Sequence, residues 1–206
     1  MGRILISALT LSATLCSLQA RAAPTVKVDQ ICTRAQRRAQ RSPTLAQIFA
    51  AISAPETTFA GFRLDDTWQA LARQSDLQAL FTSVSNVADS ALYNQAFAWD
   101  LPGNSLFVTT VATSSSGDWA HTVDYCFRAD GSLALVTSTL STVYGTALRS
   151  RTRRFLPNGR PLWVRGSLAH LSTGEARHDT DFRDQEEPIY LTRALLPFAH
   201  LINNPK

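Results

Sequence analysis

The clearest hydrophobic and polar pattern in the chain lies between Trp119 and Leu171. Trp119, His121, Val123, Tyr125 and Phe127 alternate with Ala120, Thr122, Asp124 and Cys126. A period of two sends successive side chains to opposite faces of a strand, so the first set predicts the core side. Two corners interrupt the run, Phe127-Arg128-Ala129-Asp130-Gly131 and Phe155-Leu156-Pro157-Asn158-Gly159. Gly, and to a lesser degree Asn and Asp, tolerate positive φ, so Asp-Gly and Asn-Gly mark tight reversals. The flanking β-branched and aromatic residues favour strands over helices. The register after the first corner is open. A two-residue loop sets Ala134, Val136 and Leu140 beside the core face; a three-residue loop with a bulge sets Leu133 and Leu135 there.

Upstream the period changes. Residues 28–41 read as a helix that Ser42-Pro43 stops. Ser42 then caps a second helix to about Ser53, with Leu45, Ile48, Phe49 and Ile52 as its apolar stripe. Asp65 or Asp66 caps a third helical stretch through Trp68, Leu71 and Ala72, and Asp76 restarts it through Leu77, Leu80 and Phe81. Strands are predicted over 91–99 and 105–113. Residues 173–188 form a polar loop, and 189–202 are apolar again, packing back on the sheet as a strand or short helix. The expected fold class is α+β: N-terminal helices (28–85) packed on one face of an antiparallel, meander-type β-sheet (91–171).

The 206 residues allow one domain with a sizeable core, here 23–206. With 45% hydrophobic and 17% charged residues, the composition excludes disordered and fibrous classes. Residues 1–22 read as a signal peptide: Arg3 is the positive end, 4–18 are mainly apolar, and Ala20-Arg21-Ala22 offers a cleavage site. The expected location is therefore the periplasm or the exterior. No later segment reaches the ~20 apolar residues of a membrane span. Loss of Arg3 and Arg21 lowers the formal net charge from +4 to +2, which weakens any argument from global charge. Cys32 and Cys126 then remain, and an even pair in an exported chain predicts a disulfide. It would close a long loop, for which chain entropy gives roughly 4–5 kcal/mol.

Two arginine clusters are candidates for anion binding. Arg34, Arg37, Arg38 and Arg41 share a helix face. Arg149, Arg151 and Arg153 share a strand face, with Arg154 opposite. Each set reads either as an anion surface or as a solvated face, the second partnered by Glu175, Asp179, Asp181, Asp184, Glu186 or Glu187. Trp119, Tyr125, Trp163 and His121 are candidates for lining a ligand site. His121 and Asp124 alternate to opposite faces, so they form no direct catalytic pair. Residues 178–184 gather oxygen ligands without the glycine and closing Glu of a calcium loop. No catalytic motif, metal set or cofactor fingerprint is present, and no aromatic-rich basic motif points to nucleic acid.

Gly117-Asp118-Trp119, the run from Tyr125-Cys126-Phe127 through Asp130-Gly131-Ser132-Leu133, and the tail Pro188-Ile189-Tyr190-Leu191 with Leu196-Pro197-Phe198 resemble small exported bacterial proteins of unknown function. The resemblance covers about the C-terminal half and carries no catalytic residues with it. The reading that results is an exported, non-enzymatic binding or accessory module. Its partner is a small apolar ligand or an envelope component. The alternatives are a hydrolase with a site assembled from dispersed residues, His121 among them, and an envelope-interaction protein using the arginine faces.

Overall fold

The structure is a computed structural model that describes residue 30 and residues 32–37, 47–53, 68–85, 92–114, 116–178 and 187–202. The leader at 1–22, the caps expected at Ser42 and at Asp65 or Asp66, and the acidic part of the polar loop lie outside the described residues. The strands are β1 Gln47–Ser53, β2 Gln69–Leu71, β3 Leu92–Leu101, β4 Ser105–Ser114, β5 Trp119–Phe127, β6 Leu133–Thr142, β7 Ala147–Phe155 and β8 Pro161–His170. They form one antiparallel sheet in the order β2-β1-β3-β4-β5-β6-β7-β8. Among the described residues, helix is limited to residue 30, α1, residues 32–37, and α2, Gln74–Ser85, beside single 3-10 turns. Asp76 opens α2 as expected: its carboxylate accepts a hydrogen bond from the Arg73 backbone N–H at 3.0 Å, the acidic half of a capping box.

The expected second helix is a strand. Ile48 and Ala50 are buried on one face of β1 and Phe49 and Ala51 on the other. Burial on both faces removes the polar alternation, and a short continuous apolar run then imitates a helical stripe. The stretch after Trp68 is likewise not helical but the short strand β2, paired with β1.

Both Gly corners form the same three-residue loop. Arg128 N donates to Ser132 O and Gly131 N to Arg128 O; Leu156 N donates to Arg160 O and Gly159 N to Leu156 O. Gly131 and Gly159 sit at φ of 82° and 79°, which is why glycine stands there. The loop pairs Phe127 with Leu133, but a bulge follows, so Cys126 pairs with Leu135 and Tyr125 with Val136. Each sequence reading of the register is therefore half right. Leu133 reaches the core through the loop, and Val136 and Leu140 reach it because the bulge flips the pattern.

The two faces are covered differently. On the Tyr125 face, Leu106, Val108, Val123, Tyr125, Phe127 and Val136 meet the C-terminal segment through Tyr190, Leu196 and Phe198. Phe198 is fully buried and stacks on Phe49 with ring centroids 5.1 Å apart. That segment is a strap with two 3-10 turns rather than a strand or helix, laced to the first corner by Leu133 N donating to Leu191 O and Arg193 N to Gly131 O. On the Cys126 face, Cys32 and Ala35 join Trp99, Leu101, Phe107 and Cys126 in one cluster. Leu77 of α2 joins Ile48 and Ala50 in another. Cys32 and Cys126 are joined by a disulfide with Cα atoms 5.9 Å apart. Of the N-terminal helical region 28–85, then, 47–53 and 69–71 are strand, and the described helix is confined to α1, α2 and residue 30.

Candidate functional site

Cross-strand register carries the Tyr125 face from its core to an opening at the β7–β8 end. One row runs His121, Leu140, Arg149, Leu168; the next Val123, Ser138, Arg151, Gly166; the third Tyr125, Val136, Arg153, Val164. The strap packs in one cluster with Val123, Tyr125 and Val136 of these rows. Past it lies a cavity of about 550 Å³ lined by Arg149, Ser150, Arg151, Val164, Gly166, Ser167, Leu168, Ala176, Arg177 and His178. Residues 171–178 build its outer wall by folding back along β8, where His170 N donates to Glu175 O and Arg177 N to Leu168 O, each at 2.8 Å. Arg177 Nη1 also donates to Gly145 O. Gly166 forms part of the floor: a Cβ there would meet only Ser150 O, at 3.5 Å, so the space above it is open.

The strand arginines point inward, not to a solvated face. Arg149 is only 4% exposed, and burial, followed by the neighbouring Arg151, lowers its pKa from the ordinary guanidinium value. Glu187, at the start of the strap, supplies the counter-charge. Its Oε1 lies 2.8 Å from Arg153 Nε and its Oε2 3.6 Å from Arg151 Nη1. The first contact is close but lacks the direction of a hydrogen bond, since both Glu187 oxygens are buried without an aligned donor among the described residues. Glu187 was one of the six partners the sequence offered for this cluster.

His121 and Ser138 form a second polar element on the same face. Nε2 and Oγ are 2.8 Å apart, and both residues are buried. Burial, and then the charge of Arg149, lowers the His121 pKa to about 4, so the ring is neutral at pH 7. A neutral His beside a Ser is one part of what a hydrolase needs. Among the described residues no carboxylate is hydrogen-bonded to His121, and neither member lines the cavity.

The four aromatic and His candidates are not brought together. Tyr125 is fully buried, and its hydroxyl donates to Pro188 O at 2.9 Å. Trp119 packs at the margin of the same core. Trp163 stands on the opposite face, with the Arg154 guanidinium 5.2 Å from its ring centroid. Arg34 and Arg37 are exposed on α1; Arg38 and Arg41 lie outside the described residues. Beneath α1, Asp124 accepts from Thr109 Oγ1 at 2.7 Å and Gln36 Nε2 at 3.2 Å, and its pKa is raised by burial against those hydrogen bonds. Sequence reasoning missed the contributions of Gly166, Leu168 and Arg177 to the cavity. Nothing local marks them, because the cavity exists only through β7–β8 pairing and the return of 171–178.

Among the described residues no group of three or more His, Cys, Asp and Glu side chains is placed to hold a metal ion, and no helix is long and apolar enough to cross a membrane. Comparison with protein-family models, with curated proteins and with solved structures finds no match for this chain.

Proposed function

We propose that this chain is an exported binding module, non-enzymatic, that takes a small amphiphile carrying one anionic group. The observation that carries the reading is the cavity at the open end of the Tyr125 face. Its size falls within the range of small-molecule sites, about 300–1,000 Å³. Its lining is mixed: Arg149 and Arg151 come from β7, Val164 and Leu168 from the neighbouring β8, and Arg177 from the return segment beyond it. A guanidinium offers five N–H donors, so an arginine already paired with Glu187 still has capacity for a second anion. The aliphatic β8 residues suit a short hydrocarbon tail. Export rests on the reading of residues 1–22 as a leader, with the Cys32–Cys126 disulfide as support because such bonds persist in oxidising compartments. The packing of Cys32 and Ala35 supports an N-terminal helix, α1, lying on the Cys126 face.

Calorimetric titration with decanoate, decyl phosphate and decanol tests the site. Both anions are expected to bind, and decanol about tenfold more weakly or worse, the difference a charge-assisted hydrogen bond makes. Binding by none of the three, or equal binding of decanol, would remove the reading.

A further inference from the structure

The C-terminal strap supports an inference that stands apart from the cavity. Tyr190 and Leu196 anchor it in the core, and every residue from Leu191 to Leu195 between them is exposed. Leu191 and Leu195 are 40% and 54% exposed, and protein surfaces carry few such leucines beyond what function needs. The stretch is pinned along its backbone. Leu133 N donates to Leu191 O at 2.8 Å and Arg193 N to Gly131 O at 2.9 Å, on either side of the Ser132–Thr192 bridge. Its side chains rest on the two glycine corners. Leu191 Cδ1 lies 3.3 Å from where a Gly159 Cβ would be, and Arg193 Cγ 3.5 Å from that of Gly131. The exposed leucines and Arg193 therefore gather at the corner end of the sheet.

Cations surround them. Arg193 stands between the two leucines in sequence, and Arg160 follows the Gly159 on which Leu191 rests. Among the described residues neither arginine makes an ion pair. The carboxylates of this end, Asp100 and Asp130, accept from Gln47 and Ser132 instead. Beside Arg193 a groove of about 380 Å³ opens between the two 3-10 turns, lined by Arg193, Ala194, Ala199, His200 and Ile202. We propose that this segment docks on an anionic lipid bilayer, with a headgroup phosphodiester in the groove and Leu191 and Leu195 entering the headgroup–acyl boundary. Arg193 offers the phosphate its guanidinium fork, and His200 an imidazole N–H. Arg160 meets a neighbouring headgroup. Apolar burial and attraction to anionic lipid add in interfacial binding, so leucines flanked by cations supply both parts. Because the backbone is already pinned, docking costs little ordering.

Co-sedimentation of the mature protein with lipid vesicles tests this. It is expected to bind vesicles of phosphatidylcholine mixed with phosphatidylglycerol, to bind phosphatidylcholine alone more weakly, and to release as salt rises. Arg193→Gln should weaken partition roughly fivefold, the worth of one cation near an anionic surface. Leu195→Glu should weaken it about tenfold or more, since it removes apolar area and adds a like charge. Both side chains are exposed, and an unchanged circular dichroism spectrum shows that the variants fold. Two further variants locate the contact. Arg34→Gln removes the same charge from α1, which lies on the Cys126 face, and Gly166→Leu fills the cavity; both should bind vesicles as wild type does. No binding to the anionic vesicles, or equal binding to phosphatidylcholine alone, would overturn the proposal. So would wild-type binding by Leu195→Glu and Arg193→Gln, or a loss in Arg34→Gln or Gly166→Leu as great as theirs.

Discussion

Glu187 Oε1 lies 2.8 Å from Arg153 Nε, joining the start of the C-terminal strap to the middle of β7 with a fully buried carboxylate. The same carboxylate lies 3.6 Å from Arg151, which lines the cavity. Removing one member of a buried ion pair leaves the other charge uncompensated, at roughly 3–5 kcal/mol. The arginine side chains are 17% and 18% exposed, which places this case at the low end. Glu187→Ala is expected to lower stability by about 3 kcal/mol and Glu187→Gln by less, read from urea unfolding midpoints.

The His121 pKa makes stability depend on pH in a defined window. The folded value is lowered to about 4, so between there and 6.5 the unfolded chain binds a proton that the folded chain refuses. The contribution is fully present above pH 6.5 and is lost as pH falls toward 4. Its size is about 3 kcal/mol, and His121→Gln should flatten this part of the curve. Urea unfolding at stepped pH, wild type against variant, measures the difference.

Cys32 and Cys126 are 94 residues apart, so their bond restricts a large part of the unfolded chain. Replacing both by Ala is expected to cost about 2–5 kcal/mol and lower the thermal midpoint. Reduction of the wild type should reproduce the fall, and reductant should leave the double variant unchanged.

What could be read in the sequence depended on whether burial left an alternation. β5 has a buried and a partly covered face, and His121, Val123, Tyr125 and Phe127 declared it directly. β1 is buried on both faces, so Ile48, Phe49, Ala50 and Ala51 gave a run that fits either period. The Asp130-Gly131 corner was legible as a turn, but the bulge after Phe127 was not, because Ala134 carries no mark of its extra place. The arginine spacing on β7 showed a shared face, and the acidic residues downstream showed candidate partners. Which face it was, and that Glu187 is among those partners, came only from tertiary pairing.

Phe198 locks the strap over the sheet between Phe49 and Trp68, with ring centroids 5.1 and 4.7 Å away. Phe198→Ala is expected to destabilise by about 3–5 kcal/mol. Hydrogen exchange of backbone amides in 189–202 should rise more than exchange in β4 and β5, since the strap is the element released.

Gly166→Leu tests the ligand site most directly. The new Cβ makes only an ordinary contact with Ser150 O and the backbone is not in the left-handed region, so the side chain fills the cavity without displacing the strand. Decanoate titrated into wild type and variant by calorimetry should bind the first and at least tenfold more weakly the second, with the thermal midpoints alike. Equal binding to both proteins would contradict the account.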